Sequence, residues 1–428
     1  MSCQSITDNT LHLKSNQRYT EGLSHFKNKN IITFYEVEEI LKNAVSSSVE
    51  LIDYNFHIYS EEKLGFLGKY LCLVLEYKKP CNGEYIKQRF FVKTIPYDIP
   101  SQIAYIEDKG AFRKEIEFFK YLMPFLMENF KGDDWAPQCY LTNKNTIVLE
   151  DMKLQGFSNR SKIFNEITLK SAIACIARMH SCSLIAEEKL NGRSLNKVYP
   201  NACQESEYKP SNRNYKWFVT AIHLAISIAE DLGLDASAIL ESSHRVFEIG
   251  KPSENKCNVI SHGDLWSNNI LFNSTNCCKL VDFQLIRYAP LAHDVMQLLY
   301  LTTTREFREK FEMKMVKYYY KELIESLSIN NFQGIVPTFT EVLQGVEEQR
   351  FPALVSTTIN FPTIMINNKI GAEIMDSENA YEAYFFQDRR PFVNKIMSLD
   401  SEYEWRVKEI VRELAEWSLK IDRLPHAT

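Results

Sequence analysis

One stretch of the sequence combines a residue that can accept a proton with residues that can bind a metal ion. It reads HGDLWSNN over residues 262–269. Asp264 could take the proton that a hydroxyl loses as it attacks phosphorus. Asn269 follows five positions later, and Asp282 lies thirteen positions beyond Asn269, after an apolar run. Magnesium, a hard cation, binds oxygen ligands of this kind. The spacing therefore predicts metal-assisted phosphoryl transfer, with Asp264 as base and the other two residues as metal ligands.

The alternative for this stretch is an ordinary loop whose Asp and Asn residues cap helices. An isolated His-x-Asp would be read that way. Here the His-x-Asp, the Asn at its fixed offset, the flanking apolar strands and an Asp-Phe pair at 282–283 occur in one order. That order matches the catalytic loop and metal-binding motif of kinases, which favours the catalytic interpretation.

A second pair of charged residues lies upstream. Lys93 is the single charge in the apolar strand-like run 90–94, where a Lys is often a gatekeeper of a sheet edge. Glu115 lies on an otherwise apolar helical face within 112–119, and a buried Glu requires a partner. We expect Lys93 to pair with Glu115 and to contact the α- and β-phosphates of ATP. Glu117 is the competing partner, but it lies on the opposite helical face.

Two further segments have positions that suit nucleotide binding. Glu150, Asp151 and Met152 end a strand where a kinase presents backbone groups to adenine, although the two acids could also be solvated strand-end charges. A G-x-G-x-x-G loop is absent from the sequence. Gly65 and Gly68, just before the second predicted strand, are the nearest substitute for a loop that covers the phosphates.

The region around the predicted base differs from that of protein kinases. Trp266 stands where Ser/Thr protein kinases carry a Lys, and Gln284 replaces the final Gly of the Asp-Phe-Gly motif. Only twelve residues separate Asp282 from Asp294, which is too few for a peptide-binding activation segment. The acceptor beside Asp264 is therefore expected to be a hydroxyl of a small molecule.

These motifs closely resemble the insect ecdysteroid 22-kinase-like family, which is related to choline kinases and aminoglycoside phosphotransferases. The resemblance rests on HGDLW-x-NN with DFQ, on F-x-x-E-x-x-FF at 112–119 and on LEDM at 149–152, and it spans roughly residues 30–420. It implies a protein-kinase-like fold, ATP and Mg²⁺ as cofactors, and phosphorylation of a hydroxyl on a secondary metabolite. It also implies the roles given above for Lys93, Asp264, Asn269 and Asp282.

The elements that must position these residues suggest an α+β protein with two lobes. Residues 1–30 are expected to form a loose extension, 31–151 a small antiparallel β lobe with one helix, and 152–428 a larger, mainly helical lobe. Hydrophobic patterning predicts three long strands, a helix and two short strands in the small lobe, at about 49–59, 70–77, 86–95, 106–130, 140–141 and 146–149.

Composition excludes several other classes. The net charge of the 428 residues is 50 − 55 = −5, so we expect no nucleic-acid partner. The most apolar stretch, 351–367, contains two prolines and is expected to form a buried helix with breaks rather than a membrane span. Ten cysteines without a C-x-x-C pair, and an N-terminal segment without an apolar core, suggest free thiols in a cytoplasmic protein. We expect a monomer.

The acceptor is the least determined part of the prediction. The chain contains 26 Phe, 22 Tyr and 5 Trp, and Trp266 beside the base suits a flat, apolar alcohol. Ecdysteroids, other steroids and xenobiotic alcohols all remain open. A choline or aminoglycoside-type kinase is an alternative, although a choline-type substrate would require an acidic, aromatic cage, which the sequence does not locate. A pseudokinase that only binds ligands is the alternative from another functional class.

Overall fold

The computed structural model describes residues 31–45, 48–60, 68–80, 82–96, 100–208, 212–249 and 251–427. These residues form two compact units. The first contains the described residues up to 60 together with 68–94 and 138–151, and the second contains 95–137 and the described residues from 152 onward. The predicted extension at 1–30 and Gly65 lie outside the described residues.

The first unit is built on an antiparallel sheet of five strands in the order β1-β2-β3-β5-β4. The strands are β1 (Glu50–Ile58), β2 (Lys69–Lys78), β3 (Tyr85–Thr94), β4 (Cys139–Thr142) and β5 (Thr146–Glu150). Strands β2 and β3 form a hairpin in which Lys69 pairs with Thr94 and Lys78 with Tyr85. The sheet confirms the five strands that hydrophobic patterning predicted.

One helix, α1 (Phe34–Ala44), packs in the same apolar cluster as the sheet. It begins at Thr33, whose side chain accepts a hydrogen bond from the Glu36 backbone N–H while the Glu36 carboxylate accepts one from the Thr33 N–H. This reciprocal pair satisfies two backbone donors at the helix start. The apolar face of α1, with Val37 and Ile40, is buried beside Leu73 of β2.

The helix predicted over 106–130 is wrong as a single element. The chain forms α2 (Pro100–Lys109), α3 (Ala111–Glu117), a π-helical turn (Phe118–Leu122) and α4 (Met123–Met127). Gly110 separates α2 from α3 because it adopts a left-handed conformation with φ +60°. These helices belong to the second unit, whereas the sequence interpretation put them in the small lobe.

The second unit is mainly helical and carries two small antiparallel sheets, β6 with β9 and β7 with β8. Its remaining helices are α5 (Glu166–Glu188), α6 (Leu195–Val198), α7 (Pro200–Cys203), α8 (Asn212–Asp231), α9 (Ile239–Ser243), α10 (Ala292–Thr302), α11 (Arg305–Ile329), α12 (Phe339–Ile364), α13 (Asn368–Met375), α14 (Glu378–Phe386), α15 (Arg390–Leu399) and α16 (Ser401–Ser418). The strands are β6 (Asn258–Ser261), β7 (Ile270–Phe272), β8 (Cys278–Leu280) and β9 (Arg287–Pro290). The predicted α+β class is confirmed.

The apolar stretch at 351–367 is largely part of α12 and is almost entirely buried. Pro352 and Pro362 lie inside this helix, which ends at Ile364, so neither proline breaks it. Among the helices that the structure describes, none is both long and apolar enough to cross a bilayer.

Candidate active site

The loop at 262–269 connects β6 to β7, and Asp282 lies two residues beyond the end of β8. Strands β7 and β8 form a hairpin in which Ile270 pairs with Leu280. The hairpin brings the two ends of the motif together, and the Val281 N–H donates to the Asn269 carbonyl at 3.0 Å. Asp282, thirteen residues after Asn269 along the chain, therefore follows directly on a residue that is hydrogen-bonded to Asn269.

Asn269 is oriented by the residue predicted to be the base. Its Nδ2 donates to both the backbone carbonyl and the carboxylate Oδ2 of Asp264, each at 2.9 Å. The amide nitrogen is thereby committed to Asp264, and Oδ1 is the atom that Asn269 can offer to a cation. Asp264, Asn269 and Asp282 line a single cleft of the second unit. The structure thus brings the predicted base and both predicted metal ligands together.

The surroundings of Asp264 favour its protonated form. Burial raises the pKa of this carboxyl well above its usual range, and the nearby charges of Asp282 and Glu207 add to the shift. The hydrogen bond from Asn269 opposes it. A divalent cation bound near Asp264 and Asp282 would lower the pKa of Asp264, as the hydrogen bond from Asn269 does. It would do so because it would offset the negative charge of Asp282.

Asp294 holds the backbone of the loop. Its carboxylate accepts hydrogen bonds from the N–H groups of His262 at 2.7 Å and Gly263 at 3.0 Å. His180 Nε2 lies 3.1 Å from the same carboxylate, and both residues are fully buried. Burial alone would raise the pKa of Asp294, but the hydrogen bond from His180 helps to lower it. Asp294 therefore has a structural role in this loop.

His262 also stabilises the loop. The Asp264 N–H donates to His262 Nδ1 at 3.3 Å, so the other ring nitrogen is the donor of the 3.0 Å hydrogen bond between Nε2 and the Val281 carbonyl. This arrangement requires a neutral ring, and burial lowers the pKa of His262 accordingly. The ring therefore links the base to the segment that carries Asp282.

Glu115 anchors the Asp-Phe segment from α3. It is 1% exposed, and its Oε1 accepts a hydrogen bond from the Phe283 N–H at 3.1 Å. The Phe283 ring stacks on Phe118 with ring centroids 4.4 Å apart. Glu117, the competing residue, is more exposed than Glu115. A contact between Glu115 and Lys93 stays a prediction, because the two residues belong to different units.

Lys93 lies on β3, between β2 and β5, opposite Tyr70 and Ile147. It is 3% exposed. A Lys in the interior of a sheet and buried to this degree does not guard an edge, so the gatekeeper interpretation is wrong. Burial of an ammonium group indicates a specific electrostatic role.

The other predicted nucleotide-binding residues occupy separate places. Gly68 immediately precedes β2, Glu150 ends β5, and the buried Met152 begins a short 3₁₀ turn in the second unit. Asp151 is 2% exposed; its carboxylate accepts a hydrogen bond from the Tyr59 hydroxyl at 2.7 Å and pairs with Arg89 at 3.1 Å. Its interpretation as a solvated charge is therefore wrong. Adenine binding through this backbone stays a prediction.

The cleft around Asp264 has walls that the sequence did not reveal. It encloses a volume of about 110 Å³ and is partly open to solvent. Its aromatic walls come from distant segments of the second unit: Tyr105, Trp217, Trp266, Tyr381 and Phe385. Of these aromatic residues, only Trp266 belongs to a motif that the sequence analysis identified. The wall also contains two charged residues, Lys109 and Glu207. Neither belongs to a short sequence motif.

Comparison with known proteins now identifies the family. The sequence model that describes the ecdysteroid kinase-like family matches residues 65–332 of this chain. The chain belongs to the ecdysteroid kinase-like family. This membership confirms the resemblance seen in the motifs and makes the chain a kinase-like phosphotransferase of the small-molecule type. No curated protein matches the chain.

Solved structures similar to this ecdysteroid kinase-like chain include a spectinomycin phosphotransferase bound to ADP and spectinomycin, at 11% identity and a TM-score of 0.40. That match covers 91% of this chain and 99% of the other. An ethanolamine kinase from Plasmodium vivax matches at 14% identity, 83% coverage of each chain and a TM-score of 0.40. LicA in complex with AMP matches at 13% identity, covers 89% of this chain and 97% of the other, and has a TM-score of 0.39.

The donor set of the ecdysteroid kinase-like site fits magnesium. Asp282 offers a carboxylate and Asn269 an amide oxygen in the same cleft. Within the described ranges, no group of three or more His, Cys, Asp or Glu side chains converges as a metal cage. Magnesium is commonly held by one or two protein oxygens together with substrate phosphates and water, so a sparse set of oxygen donors suits it.

Gly263 is a position where the ecdysteroid kinase-like loop tolerates no side chain. Its φ is +75°, and a Cβ there would overlap the Leu285 carbonyl oxygen and lie 2.9 Å from Arg287 Nε. We expect Gly263→Ala to lower the free energy of unfolding by about 1–3 kcal/mol more than Gly156→Ala. Gly156 is the matched control because it has the same φ of +75° and nothing within 4 Å of its added Cβ.

Urea unfolding of the two glycine variants and the wild type measures this difference. Both variants carry the backbone cost of a left-handed alanine, about 1–2 kcal/mol, so their difference isolates the overlap. Equal destabilisation by the two substitutions would contradict the tight packing of Gly263.

Proposed function

We propose that the chain transfers the γ-phosphoryl group of Mg·ATP to a hydroxyl of an apolar alcohol, of which an ecdysteroid or another steroid is the favoured class. One observation carries the proposal: Asp264, Asn269 and Asp282 meet in a cleft whose other walls are largely aromatic and aliphatic. Proton acceptor, metal ligands and an apolar acceptor pocket are what this reaction requires.

In the proposed reaction Asp264 orients the acceptor hydroxyl and takes its proton. Asn269 orients Asp264 and, with Asp282, would hold magnesium, which neutralises charge on the phosphates when bound. Asp294 and His262 keep the loop in place through the hydrogen bonds described above. The raised pKa of Asp264 means that cation binding would help to ionise the base before transfer.

The nucleotide is proposed to contact mainly the first unit. Lys93 would neutralise the α- and β-phosphates, and the segment at Gly65 and Gly68 would cover them. The backbone at 150–152 would bind adenine. The support for these assignments is the family resemblance of the motifs and, for Lys93, its burial on a central strand.

We further propose that the protein is a cytoplasmic monomer. The described cysteines are all free thiols, which suits a reducing compartment. Light scattering of the purified chain tests the oligomeric state, and imaging of a tagged chain in cells tests the location. A dimer in solution or a secreted product would contradict the respective proposal.

The direct test of the proposed function is incubation of the purified protein with Mg·ATP and a panel of hydroxyl acceptors. The panel contains ecdysteroids, other steroids, xenobiotic alcohols, choline, an aminoglycoside and a generic peptide, with mass spectrometry as the readout. A phosphorylated steroid or apolar alcohol is the expected product. Efficient peptide phosphorylation without a small-molecule product would overturn the proposal.

Thermal unfolding with and without Mg·ATP tests whether the protein binds the nucleotide. At 100 times its dissociation constant a ligand stabilises the folded state by about 2.7 kcal/mol. Stabilisation without transfer to any acceptor in the panel would favour the binding-protein alternative. Absence of stabilisation would contradict the ATP site.

We expect Lys93 and Glu115 to act as a coupled pair. Lys93→Met should raise the barrier of transfer by about 2.7–4 kcal/mol because it removes a charge from the phosphates. Glu115→Gln should cost less, and the double variant should lose less than the sum of the two single losses. The matched control is Glu117→Gln, whose effect should add to that of Lys93→Met. The rate constants of single turnovers measure the cycle, and full additivity for Glu115 would contradict the pair.

A further inference from the structure

Lys109 is a buried cation in the wall of the acceptor cleft. It is the last residue of α2, it is 5% exposed, and it lines the same cleft as Asp264. Its Nζ lies 4.5 Å from the centroid of the Trp217 ring and 4.9 Å from that of Tyr105. Two aromatic faces thus hold the ammonium group at the cleft surface.

The acids nearest to Lys109 are already bonded to another cation. Glu207 and Glu205 both act on Lys109 electrostatically. However, Arg287 binds Glu207 through Nη2 and Glu205 through Nη1, at 3.2 Å each. Throughout the described part of the chain, no residue accepts a hydrogen bond from Lys109 Nζ. Burial lowers the pKa of Lys109, and the two acids oppose that shift.

The ammonium group of Lys109 is largely withdrawn from water, since the residue is 5% exposed, and aromatic faces replace a hydrogen-bond acceptor only in part. The cost of this desolvation is recovered when a ligand in the cleft supplies an oxygen. Glu207, which also lines the cleft, could accept a hydrogen bond from a hydroxyl of the same ligand. This end of the cleft is therefore suited to oxygen atoms of a neutral molecule.

We propose that Lys109 determines acceptor specificity, by donating a hydrogen bond to a second oxygen of an uncharged alcohol and by excluding cationic alcohols. The inference rests on the proposed function, since it concerns the acceptor of the same site. The class of acceptor is a mainly apolar ring system with one hydroxyl at Asp264 and a carbonyl, hydroxyl or ether oxygen at Lys109.

The exclusion of cations follows from the same geometry. An aromatic pocket binds a quaternary or primary ammonium through the faces of its rings. In this cleft the faces of Trp217 and Tyr105 are already covered by the ammonium of Lys109. A second cation would meet like charge at the same two rings, where the nearby Glu207 is already paired with Arg287.

The test compares wild type with Lys109→Met, which retains most of the length and the apolar stem of the side chain. The matched control is Lys189→Met, because Lys189 also lies over an aromatic ring, 5.7 Å from the centroid of Phe125, but is outside the cleft. Calorimetry without ATP measures binding of 20-hydroxyecdysone, its analogues lacking single oxygens, and choline. Transfer to the same compounds is measured with Mg·ATP.

We expect Lys109→Met to weaken binding of the neutral steroid by about 10- to 100-fold, as loss of a hydrogen bond to a charged group does. The analogue that lacks the oxygen bound by Lys109 should bind wild type and variant with equal affinity. Choline should bind the variant better than wild type. Lys189→Met should change none of these values, and the KM for ATP should stay unchanged in both variants.

Several results would overturn the inference: no binding of any neutral steroid by wild type, choline binding that equals or exceeds steroid binding, or equal selectivity in wild type and Lys109→Met. Binding that depends on Lys109 without any phosphorylated product would support the specificity role and contradict the proposed function. Phosphoryl transfer to the steroid that is equally fast in wild type and Lys109→Met would support the proposed function and contradict the specificity role. The two claims can therefore fail separately.

Discussion

Replacing Asp264 by Asn is expected to reduce phosphoryl transfer by about 10²–10⁴-fold while ATP still binds. The substitution retains the size of the side chain and removes its basicity. Asn269 Nδ2 would still find an oxygen at this position, because it now donates to Oδ2 and to the Asp264 carbonyl. The loop should therefore keep its shape, and the loss should appear in the chemical step.

The measurement is the rate of product formation by mass spectrometry, together with stabilisation by Mg·ATP in thermal unfolding. The control is Asp422→Asn, an exposed Asp of the same unit outside the cleft, which should behave as wild type. A variant Asp264→Asn that retains more than a tenth of the wild-type rate would rule out Asp264 as the base. Loss of ATP stabilisation would instead indicate a disturbed site.

Replacing Asp282 by Asn should abolish turnover, with a loss of about 10²-fold or more, because the metal then lacks its charged ligand. Asn is the informative substitution at this position. Asp282 has a left-handed backbone with φ +68°, which Asn adopts more readily than Ala does. The fold should survive, as the unfolding midpoint would verify, and excess magnesium should restore part of the activity.

Removal of the metal should have the same consequence in the wild type. Excess chelator is expected to stop transfer, and magnesium added in excess of the chelator should restore it. Activity measured against free magnesium concentration gives the apparent affinity, which should be weaker in the Asp282→Asn variant. Undiminished transfer in chelator would contradict both the metal requirement and the assignment of Asp282 and Asn269.

The sequence by itself determined the parts of the site that are close along the chain. Asp264, Asn269 and Asp282 fall within one loop and one hairpin, so their proximity follows from local strand pairing. Short runs rich in β-branched and aromatic residues, separated by turn residues, likewise located the five strands of the first unit, because these are also local features of the chain. The fold class followed from the order of these elements.

The local sequence pattern did not predict how glycine and proline affect the helices of the second unit. The apolar period over 106–130 continues across Gly110, yet the left-handed conformation of that glycine divides the helix. The prolines of α12 had the opposite outcome, since Pro352 and Pro362 lie inside a buried helix rather than ending it. The left-handed turn at Gly110 is a local property of glycine, whereas the prolines are tolerated in a helix that is almost entirely buried.

Only the tertiary structure decided what the cleft can bind. Lys109, Glu207, Trp217 and Tyr381 come from helices and loops spread over more than half of the chain, and they meet because the second unit folds around one core. No spacing rule links such residues, since their proximity depends on how many helices pack at once. The proposed chemistry therefore depends on residues of one local motif, whereas the proposed acceptor selection depends on contacts that form only when the whole unit is folded.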